Sequence, residues 1–183
     1  EDDLIQRESF LAGESTEVSP AVLTPAQARG EAPLPEYLSP EDAVPAGRLG
    51  VDRLWARYFR GAAEIARQRG SEFLGAWVGF EVGLRNALAA TRARRLGLAE
   101  ASYIVAPELA APDVELSEIL DGWTAAGDPI AGHRVLLLAR WQWVGRHDAW
   151  FTFRADEIAA YAARLLLLGR WHRLGRAEEG RRR

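Results

Sequence analysis

The stretch from Phe73 to Gly97, FLGAWVGFEVGLRNALAATRARRLG, constrains the fold more than any other. Its apolar and small residues recur at helical spacing, and no proline interrupts them. Gly75, Gly79 and Gly83 fall four apart, and Ala87 and Thr91 continue the row. Each interior glycine costs about 1 kcal/mol relative to alanine, so three cost about 3 kcal/mol, a large share of a typical net stability. A row of glycines with a four-residue period opens a shallow groove where another helix backbone can pack closely, and that contact offsets the cost. The same row drives helix pairing in membranes. Here Glu81, Arg85, Arg92, Arg94 and Arg95 break up the run, which argues against a membrane span. Leu74, Trp77, Leu84 and Leu88 occupy the other side, widened by Val78 and Phe80. A helix that is apolar or small nearly all round is expected at the centre of a soluble bundle.

Glu81 and Arg85 stand four apart in the favourable order for an ion pair, with Asn86 one residue further on. The trio is read as a partly buried polar clamp that fixes helix register. A catalytic role for Glu81 would call for a second acid or a histidine spaced to work with it, and the sequence offers none at such a spacing.

The segments on either side extend the helical reading. Six of the nine prolines lie between Pro20 and Pro45, so residues 1–50 are expected to form an acidic, mostly irregular arm, with one short helix near residues 4–12. Residues 51–183 are expected to form one bundle-like domain of about five helices. The first carries Leu54, Trp55, Tyr58, Phe59 and Ile65 and stops at Gly70. Ser71 is expected to cap the glycine-bearing helix. After a loop with a short extended piece at Tyr103–Val105, Asp113 is expected to cap a third helix. Asp128-Pro129 is expected to start a fourth. The segment HDAWFTF reads as a turn. A last helix from about Asp156 is expected to face Ile158, Tyr161, Ala162, Leu165 and Leu168 inward, with the polar tail RAEEGRRR fraying. The fold class is therefore all-α.

Composition removes several functions. There is no Cys, which excludes disulfides and thiolate chemistry, and no Lys, which excludes a standard phosphate-binding loop. His133, His147 and His172 match no metal motif, and no cofactor is expected. Asp148 and Asp156 read as turn and cap residues. Trp141, Trp143 and Trp150 read as core or as interface anchors. Residues 1–50 carry a net charge of −7 and residues 51–183 a net of +4. The arginines are scattered and form no stripe, so nucleic-acid binding is not expected. No apolar run reaches the length of a membrane span, and no secretory signal is visible. Position 1 is not Met, so a further N-terminal piece is expected.

One ordered set of residues resembles a known family. Tyr58-Phe59 and Phe73 are followed by Trp77-x-x-Phe80-Glu81-x-x-Leu84-Arg85-Asn86-x-Leu88, then Arg92-Ala93, Leu96-Gly97 and Arg140-Trp141. Phe153, Glu157-Ile158-x-Ala160-Tyr161-x-x-Arg164-Leu165 and Arg170-Trp171 complete it. The set resembles an uncharacterised bacterial family encoded among V/A-type ATP synthase subunits. The run from Leu84 to Gly97 also resembles the helical repeat of the all-helical socket that joins the central stalk of those ATPases to the membrane ring. Departures occur at Gly145-Arg146-His147-Asp148 and at Arg154. The resemblance implies a non-catalytic subunit or accessory of a rotary, ion-translocating ATPase. Such a protein would be cytoplasmic, peripheral to the inner membrane through the complex, and would act by contacts with central-stalk or membrane-ring subunits. Arg94, Arg95, Arg170 and Trp171 are the candidate contact residues. A stand-alone helical adaptor is the alternative, and an enzyme using Glu81 or Asp148 the third reading.

Overall fold

The computed structural model describes residues 1–39, 50–112, 114–148, 151, 152 and 154–181, with side chains through residue 176. Seven α-helices appear among them: α1 (Asp2–Leu11), α2 (Pro25–Ala28), α3 (Gly50–Arg69), α4 (Glu72–Arg95), α5 (Ser117–Ala125), α6 (Pro129–His147) and α7 (Ala155–Arg181). Single 3-10 turns occur at Glu36–Leu38, Glu100–Tyr103 and Pro107–Leu109, and the described residues contain no strand. The class is all-α. The five helices expected after residue 50 are α3 to α7, and α1 and α2 precede them.

The chain divides into two compact units, Glu1–Gly61 and Ala62–Arg183, so the division falls inside α3 and not at residue 50. In the first unit the proline-rich stretch is more ordered than its composition implies. Asp3 is buried, and its carboxylate accepts three consecutive backbone N–H groups: Ala21 (2.8 Å), Val22 (2.7 Å) and Leu23 (2.8 Å). Gln6 and Ser19 exchange two further bonds. Thr24 and Gln27 form a reciprocal capping box at the start of α2. Trp55 Nε1 donates to Glu8. Leu4, Leu23, Ala28 and Leu38 are buried. Prolines forbid a long helix here, but short turns with side-chain caps satisfy the backbone. Residues 40–49 of the expected arm lie outside the described residues.

The second unit is built on α4. Its Phe73, Phe80, Leu84 and Leu88 pack with Leu136, Leu137, Trp143 and Val144 of α6 and with Ala160 and Leu167 of α7. Ser71 caps α4, accepting from Leu74 N at 3.1 Å. Asp156 accepts from Ser71 Oγ and from Phe73 N (3.2 Å), which ties the start of α7 to the start of α4. Asp128 accepts from Ile130 N and Ala131 N, and Pro129 opens α6, as the dipeptide implies. Helix α5 starts at Ser117, and Asp113 lies outside the described residues. Tyr103 closes a 3-10 turn, and extended backbone begins at Ile104.

Helix α7 departs from expectation. Its backbone is helical through Arg181, into the tail expected to fray. The face expected to point inward points out: Ile158 is 72% exposed, Tyr161 59%, Leu165 49% and Leu168 51%, and Ala162 is exposed too. Ala160 and Leu167 are buried instead, with Ala159, Ala163 and Leu174 packed beside them. The helix carries two apolar stripes of equal period on opposite sides, and periodicity alone does not choose between them.

Candidate functional site

Polar residues cluster on α4 where a connecting segment crosses it. Glu81 is 4% exposed. Its two oxygens accept from Arg140 of α6, Nε to Oε1 at 2.7 Å and Nη2 to Oε2 at 2.8 Å. This fork geometry joins α4 to α6 with both carboxylate oxygens engaged. Helical spacing points to Arg85 as the partner; the described bidentate pair is with Arg140, 59 residues away. Such spacing cannot reveal a partner on another helix, although Arg140-Trp141 belongs to the ordered set above.

Asn86 is also buried, and it grips one residue of the connection between α4 and α5. Its Nδ2 donates to Val105 O and its Oδ1 accepts from Val105 N, both at 2.8 Å. The amide thereby satisfies a buried peptide as a neighbouring strand would. The next residue, Ala106, is fully buried with φ of 42°, a left-handed conformation that costs a residue with a Cβ about 1–3 kcal/mol. The Asn86 clamp holds the chain through that bend.

The three glycines of α4 differ. Gly79 is buried, and a Cβ there would lie 3.2 Å from Ala111 Cβ, 3.3 Å from Ala111 N and 3.3 Å from Leu109 O. Ala111 N donates to Gly79 O at 3.2 Å. The backbone that approaches belongs to the connecting segment, where the glycine row implied a packed α-helix. A Cβ on Gly75 would meet only Ala66 Cβ at 4.0 Å, and one on Gly83 only Leu116 Cδ1 at 3.8 Å, both ordinary contacts. Gly75 is exposed. Tight helix packing at glycine occurs instead between α5 and α6: a Cβ on Gly132 would lie 3.2 Å from Trp123 Cδ1, and one on Gly122 3.3 Å from Val135 Cγ1.

The other candidates are dispersed. Arg94 forms a two-bond pair with Glu100 at 2.9 and 3.0 Å on the surface, which lowers the Glu100 pKa. Arg95 is exposed beside Leu96 and Leu98, which are 71% and 45% exposed. Arg170 is half-buried on α7, and Trp171 is exposed with the Arg134 guanidinium 5.9 Å from its ring centroid. Trp143 is a core residue, packed against Phe73, Trp77 and Phe80. His147 stacks on it at 3.9 Å and approaches Trp143 O with Nδ1 at 2.9 Å. Trp141 lies under the Arg164 guanidinium, which also pairs with Asp148. Trp150 lies outside the described residues. Among the described residues no group of three or more His, Asp or Glu could hold a metal ion, and no helix is long and apolar enough to cross a membrane.

The geometry defines an all-helical domain whose buried polar groups fasten a connecting segment and a neighbouring helix to a central one. Residues 34–182 match the family described as Protein of unknown function (DUF2764), and the chain belongs to that family. No curated protein and no solved structure matches it.

Proposed function

We propose that the protein is a non-catalytic subunit or accessory factor of a V/A-type rotary ATPase and acts through protein–protein contacts. One observation carries the non-catalytic part. Three polar members of the ordered set that resembles the ATPase-linked family are engaged within the fold: Glu81 of α4 pairs with Arg140 of α6, and Asn86 bonds to the Val105 backbone. That set therefore encodes a shape. The assignment to the ATPase rests on the resemblance, including the likeness of the run from Leu84 to Gly97 to the central-stalk socket. This run ends at Arg94, Arg95 and the exposed Leu96, with Leu98 just beyond it. Exposed leucines beside arginines suit a protein contact. We assign the ATPase contact to this end of α4, with Arg170 and Trp171 on α7 as further candidate contact residues. The protein would be cytoplasmic, held at the inner membrane through the complex, and would need no cofactor or nucleic acid.

Affinity purification of the tagged full chain from its native host tests this reading. Central-stalk or membrane-ring subunits are expected to co-purify, and an Arg95→Glu, Leu96→Asp variant is expected to lose them. Recovery of no ATPase component would remove the assignment and leave the stand-alone adaptor.

A further inference from the structure

We draw no further inference here: the strongest candidate, the apolar groove between α6 and α7 that Leu137, Leu138, Trp141, Leu167, Leu168 and Trp171 line, shares Leu168 with the exposed apolar side of α7, and nothing in the structure shows what covers either.

Discussion

Helices α4 and α7 are both apolar around most of their circumference, yet α4 is enclosed and α7 is covered on one side. Ten residues of α4 are buried, and they include Glu81 and Asn86, which face neighbouring segments. On α7 the long apolar side chains Ile158, Leu165, Leu166 and Leu168 stand out from the surface. The difference lies in what each helix can hold against itself. Along α4, Asn86 fastens Val105, Gly79 admits the backbone of Leu109 and Ala111, and Glu81 receives Arg140. The middle of α7 has a polar anchor in Arg164, which pairs with Asp148 and covers Trp141 on the side of α6. Enclosure of an apolar helix therefore requires polar and small residues that fix the covering segment, and apolar content alone does not produce it.

The largest expected effect tests the anchors of α4. Glu81→Ala removes one member of a buried pair and takes the carboxylate away from the Arg140 guanidinium, so equilibrium unfolding in urea should show a loss of about 3–5 kcal/mol. A loss below about 1 kcal/mol would mean that Arg140 finds water and that this part of α4 is open to solvent. The next test contrasts the two sides of α7. Leu167→Ala opens a cavity and should cost about 2–5 kcal/mol. Leu165→Ala should change the stability by no more than about 0.5 kcal/mol. Equal losses at both positions would erase the distinction between covered and open faces.

Asn86→Ala strands the N–H and C=O of Val105, each in a buried position, and should cost about 1–3 kcal/mol for each group left unsatisfied. Amide exchange at Val105 should accelerate in the same variant. The glycine row supplies the next comparison. Gly79→Ala presses a methyl group on fixed backbone and should destabilise by about 1–3 kcal/mol. Gly75→Ala meets no close neighbour and should stabilise by about 1 kcal/mol through helix propensity. The same sign at both sites would contradict the difference in their surroundings.

The smallest effect sets Glu81, held by an arginine, against Asp3, held by backbone. Burial pushes the Asp3 carboxyl up, but the N–H groups of Ala21, Leu23 and Val22 outweigh it and hold the pKa below its usual value. The stabilisation is full above the unfolded-state pKa of about 3.9 and is lost as pH falls through the lower folded value. Protection of those three amides should weaken over that acid range. Asp3→Asn should remove the dependence.

Local signals made much of the fold legible. Ser71, Asp128-Pro129 and Gly70 mark helix ends through chemistry confined to neighbouring residues, and the structure places helix ends there. The centrality of α4 followed from its composition, and ten buried residues agree with it. Three features were hidden for one common reason, that each depends on residues far apart in the chain. Arg140 reaches Glu81 across 59 positions. Asn86 holds a peptide 19 residues away. The face of α7 that packs inward is chosen by Leu136, Leu137 and Val144 of α6 together with α4, while its own sequence offers two equivalent stripes. Asp3 escaped notice because a carboxylate that organises three backbone amides has no spacing signature.

A double variant tests the structural role of the α4 clamp most directly. Glu81→Met with Arg140→Leu replaces the buried pair with apolar side chains of similar bulk, an exchange that buried ion pairs often tolerate. The expected result is a full-length chain that unfolds within about 2 kcal/mol of the parent and recovers the same proteins from the native host. A variant that folds as stably but no longer recovers them would place Glu81 and Arg140 in a working site and contradict their role as a fastening of the fold.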